Sequence, residues 1–306
     1  MPFRRSIFFL LLLSTSLAGD VLQHLHPCTG KIDKQELKHV DFIYLINLDE
    51  RPEKLANTLK ELEPYGIHPY RFSAVNGWRL SLEVINDVGV RYQPWMQQGY
   101  YGTCYLPENK GQQTLEKINI IGRNYFCQTL SLGAIGCCMS HLSVLKDAYD
   151  SGYETIWVME DDIQVLRSPH LISKIIEDLD AAVGSDGWDI LYTDRDTKGS
   201  DGKYVICESY YPRPNFVPGD PSRFAMKRRI AKQIRQVGAR YGTYSMIIRR
   251  SGIRKLLDFF RQYQVFLPYD MDIYLPEEIR MFTVMKDIVS TYPTAASDNR
   301  IPGYFF

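Results

Sequence analysis

The stretch TIWVMEDDIQVL, Thr155 to Leu166, sets three acids, Glu160, Asp161 and Asp162, into an otherwise apolar run. A short apolar run of this kind reads as a strand covered on both faces, and the acids then stand where that strand ends. In an open α/β sheet ligands collect at the carboxyl ends of strands, so acids placed there project into a cleft. Carboxylates gathered in one place repel each other, and a hard divalent cation such as Mn²⁺ or Mg²⁺, which prefers oxygen ligands, relieves the repulsion. A metal held in this way can also bind a diphosphate and neutralise charge on a leaving nucleoside diphosphate. A helix-cap cluster or a solvated loop is the alternative account of the same three residues.

The flanking sequence alternates between strand-like and helix-like patterns. DFIYLINL, from Asp41, is a β-rich run; RPEKLANTLKELEPYG follows, with Pro52 near a helix start, Leu55, Leu59 and Leu62 on one face and Gly66 past the end. YRFSAV and the pair Asn76-Gly77 read as a strand and a turn, after which Ser81 caps LEVINDVG. The Gly-, Tyr- and Gln-rich residues 91–113 read as loop. SLGAIGCCMSHLSVLKDAYDSG carries Ile135, Met139, Leu142, Leu145 and Tyr149 at helical spacing and closes at Gly152, so a helix leads directly into the acidic strand. Ser168-Pro169 opens another helix, WDILYT is the next strand, residues 199–221 are loop, and YGTYSMIIRR with SGIRKLLDFF adds a strand and a helix before FLPYDMDIY. This alternation predicts an α/β sheet layered with helices, in a single domain over residues 41–298. Residues 19–40 form a lead-in and residues 299–306 a tail.

Arg4 and Arg5, the apolar run Ile7 to Leu13 and small residues through Ala18 have the layout of a cleaved secretory signal over residues 1–18. The competing reading, a type II membrane anchor, needs roughly 20 apolar residues. Export to a secreted, periplasmic or lumenal compartment permits disulfides among Cys28, Cys104, Cys127, Cys137, Cys138 and Cys207, whose pairing the sequence leaves open. There is no CxxC and no zinc-like spacing, and Cys137 and Cys138 point to different faces if helical. Lys plus Arg equals Asp plus Glu at 36 each, so no global field draws the chain to nucleic acid, and any electrostatic specialisation is local.

Six blocks, in order, resemble glycosyltransferase family 25, the family of lipopolysaccharide and procollagen galactosyltransferases. They are IYLINLDERPEKL, FSAVNG, LSLGAIGCCMSH, VMEDD, GWDILY, and YGTYSMII together with LPYDMDIYL, and the likeness covers roughly Asp41 to Asp298. The resemblance implies a GT-A type nucleotide-binding fold, a UDP-sugar donor, most often UDP-galactose, and an inverting transfer to a hydroxyl of a glycan or glycosylated acceptor. It implies that Glu160, Asp161 and Asp162 hold Mn²⁺ or Mg²⁺. Asn47 and Arg51 lie past the first strand, where a βα turn meets a nucleotide and Arg can pair with phosphate. Asn76 and Gly77 would turn beside the nucleoside, with Gly77 allowing close approach. Ser140 and His141 match the family's helix motif, although a lone helical His is commonly a satisfied core residue. Asp270 fills the family's acidic position after LP and is the candidate general base for the acceptor hydroxyl, ahead of Asp272. The sequence departs from the collagen branch at Ala295, where that branch resembles YPT followed by His; Asp298 is a possible substitute.

Two features stand outside the motifs. Asp194 and Asp196 form a second Asp-x-Asp, readable as a cleft pair or as a polar loop. Ser222 to Arg240 carries seven basic residues and no acid, with Ile230, Ile234 and Val237 on one helical face. Arg223 to Arg240 therefore reads as a basic amphipathic helix that lies on anionic membrane, accepts a phosphorylated glycan, or is simply solvated. The expected function is metal-assisted hexosyl transfer. The alternative from another class is a non-catalytic secreted sugar-binding or adhesion protein that keeps the fold.

Overall fold

The computed structural model describes residues 20–32, 35–293 and 297–299. The leader-like residues 1–18 and Ala295 lie outside them. Among the described residues no helix is long and apolar enough to cross a membrane.

Strand β1 (Phe42–Asn47) is buried at every position. Phe42, Tyr44 and Ile46 enter one apolar layer and Ile43 and Leu45 the other, as period-2 alternation in a doubly covered strand requires. Helix α1 (Pro52–Leu62) begins with Pro, whose missing N–H costs nothing in a first turn, and sends Leu62 into the second layer before β2 (Tyr70–Ser73) returns parallel to β1. Helix α2 (Leu82–Val88) is capped by the Ser81 side chain. Strands β3 (Val90–Arg91), β4 (Tyr101–Tyr105), β5 (Gln113–Lys117) and β6 (Asn124–Cys127) then form a separate sheet in the order β3-β6-β4-β5. Helix α3 (Leu132–Asp150), capped by Ser131, lies in the first layer and feeds β7 (Thr155–Glu160), parallel to β1.

The chain continues through β8 (Ile163–Val165), α4 (Leu171–Val183), β9 (Ile190–Tyr192), β10 (Lys227–Ala231), β11 (Ile234–Val237) and β12 (Ser245–Arg249). It finishes with α5 (Arg250–Tyr263), the single turn α6 (Tyr269–Asp272), β13 (Met281–Val284) and β14 (Val289–Thr291). The main sheet is mixed and eight-stranded, in the order β10-β11-β13-β9-β12-β7-β1-β2, and β14 pairs with β8. The expected α/β sheet layered with helices is the architecture found. Helix α1 leaves β1 on one face while α3 approaches β7 on the other, so the carboxyl ends of these neighbouring parallel strands flank a topological switch point.

Two expectations are corrected. Residues 91–113 are not a loop throughout: β4 lies there, and pairs with β5 across a turn at Pro107–Asn109 and with β6. Gly102 faces Ile118 and the Phe126 carbonyl so closely that a Cβ would sit 2.8 Å from each, so a residue that reads as a breaker is instead a packing requirement. The basic segment is not an amphipathic helix. Pro221–Ala225 is a short 3₁₀ turn, and β10 and β11 form an antiparallel hairpin whose second strand pairs with β13. The helical face on which the membrane or phosphorylated-glycan contact rested is absent, and several of its cations point inward.

Those cations answer buried acids. Arg235 meets Asp196 at 2.5 Å and Arg240 meets Asp194 at 2.7 Å, with the Arg240 guanidinium 4.2 Å from the Tyr192 ring centre. Tyr244 and Ser290 also donate to Asp194. The Asp-x-Asp at 194–196 therefore ties the hairpin to the sheet. Removing one member of a buried pair strands the other charge, so Arg240→Ala is expected to cost about 3–5 kcal/mol in denaturant-induced unfolding. A loss below about 1 kcal/mol, the range of exposed pairs, contradicts this assignment.

Candidate functional site

The cleft opens at the switch point and is lined by the ends of β1 and β7, the start of α1, residues 74–78, α3 and residues 297–299. Its floor is the acid cluster. Glu160 ends β7, and its Oε1 accepts hydrogen bonds from His141 Nε2 at 3.0 Å and Thr243 Oγ1 at 2.7 Å. Burial raises the Glu160 pKa, but the His141 and Thr243 hydrogen bonds and the nearby Lys54 outweigh it and hold the carboxyl below its usual range. Asp161 Oδ2 accepts from Asn47 Nδ2 at 2.7 Å, and Lys54 Nζ stands 3.7 Å from Oδ1. Burial raises the Asp161 pKa against both. Asp162 Oδ1 is buried with no hydrogen-bond partner among the described residues. Burial, reinforced by the charges of Glu160 and Asp161, pushes the Asp162 carboxyl up to about 7. An orphaned carboxylate oxygen that feels the charges of two further carboxylates has the oxygen chemistry a hard cation such as Mn²⁺ or Mg²⁺ prefers.

The walls are built by side chains that fix backbone. Asn47 is buried: its Nδ2 also donates to the Arg51 carbonyl at 2.9 Å, and its Oδ1 accepts from Arg71 Nε at 2.9 Å, so one amide sets both the α1 entry and the Asp161 carboxylate. Ser140 Oγ donates to the Gly136 carbonyl at 2.7 Å and accepts the Val75 N–H at 2.8 Å, latching residues 74–77 to α3. Gly77 approaches α3 so closely that a Cβ would collide with the Leu132 carbonyl, and a Cβ on Gly136 would collide with Gly77 and Val75. Gly77, which lines the cleft, thus also makes a close backbone approach to a helix of its own chain. The Asn76 side chain accepts the Trp78 N–H at 3.1 Å and caps a 3₁₀ turn.

Across the cleft, Arg51 pairs with Glu53 at 2.5 Å and with Asp298, and Lys54 meets Asp298 Oδ2 at 2.7 Å. Trp78 Nε1 donates to the Asp298 carbonyl at 3.3 Å, and Ser131 Oγ to that of Asn299. Asp298 thus faces the cations rather than the acid cluster. Asp270 lies in α6, where its Oδ2 accepts the Gly242 N–H at 2.9 Å; burial raises its pKa despite that bond, and the charge of Glu160 adds to the rise. Asp272 is different. It is fully buried on Arg213 at 2.7 Å and accepts the Leu267 N–H at 3.1 Å, which makes it a structural acid.

Several members of the site were not singled out from sequence. Lys54 stands one helical turn after Arg51, a spacing that could have exposed it. Thr243 lies within the block YGTYSMII, which could have exposed it, whereas Arg71 comes from a distant segment and carries no local signal. Cys137 shows no metal-like spacing in the sequence, yet its sulfur, a His141 nitrogen and a Glu160 oxygen lie within 4.8 Å of one another. All six cysteines are free thiols.

A mixed α/β sheet with an acid cluster at the switch point and cations across the cleft defines a nucleotide-sugar-transferase-like fold. The chain belongs to glycosyltransferase family 25: the model described as "Glycosyltransferase family 25 (LPS biosynthesis protein)" matches residues 40–273. It is similar to a "Glycosyltransferase 25 family member" of Aedes aegypti, 27% identical over 60% of this chain and 26% of that protein, and to one of Anopheles gambiae, 28% identical over 58% and 26%. It is also similar to the human "Inactive glycosyltransferase 25 family member 3", 25% identical over 97% of this chain and 43% of that protein. The chain thus spans between about a quarter and under a half of the length of these relatives.

The strain in the acid cluster gives a test that needs no substrate. The Asp162 pKa lies above its unfolded value, so ionisation destabilises the fold as pH rises through about 7. At mildly alkaline pH without metal, Asp162→Asn is expected to raise unfolding stability by about 1–3 kcal/mol. A destabilised variant contradicts the charge-strain reading.

Proposed function

We propose that the cleft binds a UDP-sugar as its Mn²⁺ or Mg²⁺ complex and transfers the hexose, most consistently galactose, to a hydroxyl of a glycan or glycosylated acceptor by a single inverting displacement. The observation that carries the metal–diphosphate reading is the contrast among buried acids. Asp189, Asp194, Asp196 and Asp272 each have an Arg or Lys partner within 3.2 Å, which leaves only the second oxygen of Asp196 bare, whereas Asp162 Oδ1, beside two further carboxylates, has no hydrogen-bond partner among the described residues. Bound there, the cation would offset the three carboxylates and supply Lewis-acid stabilisation of the departing diphosphate.

The chain's own residues do the rest. Asn47 orients Asp161, and His141 with Thr243 orients Glu160. Arg51 and Lys54 present cationic donors to phosphate oxygens, exchanging the Asp298 carboxylate for the ligand. Asn76 and Gly77 line the wall where the nucleoside would rest. Asp270, whose Oδ2 accepts the Gly242 N–H and whose pKa burial raises, is a stronger base than an ordinary carboxylate and takes the proton from the acceptor hydroxyl. The leader-like Arg4 to Ala18 supports work in an exported compartment.

A second reading has one observation behind it: the human relative that aligns over nearly the whole chain is named inactive. A panel of UDP-sugars with and without Mn²⁺ separates the two. Metal-dependent UDP release from at least one donor is expected, and no release from any favours the non-catalytic binding protein. For the base, Asp270→Asn is expected to lower turnover by ~10²–10⁴-fold with donor affinity nearly unchanged. Parental turnover in that variant removes Asp270 from the role.

A further inference from the structure

The acid cluster is oxygen-rich on the side of β1, but on the side of α3 it meets sulfur and nitrogen. Cys137 and His141 are separated by four residues on α3, which places them on one face, and Glu160 enters from β7. One donor atom from each lies within 4.8 Å of the other two. A tetrahedral zinc ion, with Zn–S of about 2.3 Å and Zn–N or Zn–O of about 2.0 Å, asks its donors to stand roughly 3.3–3.7 Å apart, which small side-chain rotations supply.

We propose that Cys137, His141 and Glu160 form a site for a soft divalent cation, Zn²⁺, distinct in donor chemistry from the all-oxygen site for Mn²⁺ or Mg²⁺. Thiolate and imidazole favour zinc, while carboxylate oxygens favour magnesium and manganese. The His141 ring is held by stacking on Tyr269, with centroids 4.4 Å apart, and its Nδ1 is buried without a partner among the described residues while Nε2 bonds Glu160. The Glu160 carboxylate is itself steadied by Thr243. Cys137 and Glu160 both line the cleft, which gives the ion an entry path. As zinc binds, the Cys137 thiol proton leaves to solvent, the His141–Glu160 hydrogen bond is given up, and the ring proton moves from Nε2 to Nδ1 so that Nε2 ligates as neutral imidazole.

Glu160 belongs to both donor sets, so binding of Zn²⁺ changes the affinity of the site for the hard cation, and the reverse. The inference does not depend on transferase activity, since an inactive relative with these three residues would bind zinc equally.

Cobalt makes the test visible. Metal-stripped full-length chain titrated with Co²⁺ is expected to develop a near-ultraviolet thiolate-to-cobalt charge-transfer band that Zn²⁺ bleaches. Cys137→Ser is expected to abolish the band and to weaken Zn²⁺ binding, measured by chelator competition, by at least about tenfold, with Mn²⁺ affinity unchanged. His141→Gln keeps the thiol and is expected to weaken Zn²⁺ by a similar factor, so the inference remains testable if Cys137→Ser fails to fold by circular dichroism. A parent protein without the band, a band of parental intensity in folded Cys137→Ser, or parental Zn²⁺ affinity in His141→Gln overturns it.

Discussion

Bringing Glu160, Asp161 and Asp162 together at the end of a buried strand is the constraint around which the rest of the cleft is arranged. Unpaired carboxylates in low dielectric repel and lose hydration, and each must be answered by a donor, a cation or a raised pKa. The fold uses all three. Asn47 reaches Asp161 from β1, His141 and Thr243 reach Glu160 from α3 and the segment before β12, and Asp162 is left with a raised pKa and an oxygen that has no hydrogen-bond partner among the described residues. The donors come from segments far apart in the chain, so the cluster exists only once the sheet is assembled.

The same principle separates structural acids from cleft acids. Asp189 accepts from Ser251, Lys255 and Arg280 and its pKa is held below the usual carboxylate range, burial notwithstanding. Asp194, Asp196 and Asp272 each carry a buried arginine. Such pairs add little net stability over apolar packing but are costly to break, so they hold the hairpin and α6 in register. The cleft acids are answered less completely, with Lys54 at 3.7 Å from Asp161 and Asp162 Oδ1 without a hydrogen-bond partner among the described residues, a pattern typical of sites whose compensating charge arrives with a ligand. Across from them, Asp298 bridges Arg51 and Lys54, a carboxylate on the very cations that suit a phosphate.

Most of the main sheet was legible in the sequence because its signals are local. The apolar runs at β1 and β7, the Pro52 start of α1, and the Ser81 and Ser131 caps each follow from a few adjacent residues. The failures share a cause. Helix and strand patterns in Lys227 to Val237 differ only by which residues pair across the sheet, and that information resides in β13, more than 40 residues away. The small sheet hid behind Gly102, whose meaning is set by Phe126 and Ile118. At the cleft, the family motifs point to Asn47, His141 and the three acids, and Ser140 and Gly77, which line the same cleft, also join residues 74–77 to α3. Cys137 joined His141 and Glu160 only through the approach of α3 to β7.

The central claim, that the carboxylates at the end of β7 are completed by a hard cation carrying a diphosphate, is tested most directly by calorimetric titration of UDP into the metal-stripped protein with and without Mn²⁺. The account predicts saturable UDP binding that requires Mn²⁺ and disappears on adding a chelator. Equal UDP affinity in both conditions, or no binding in either, would contradict it.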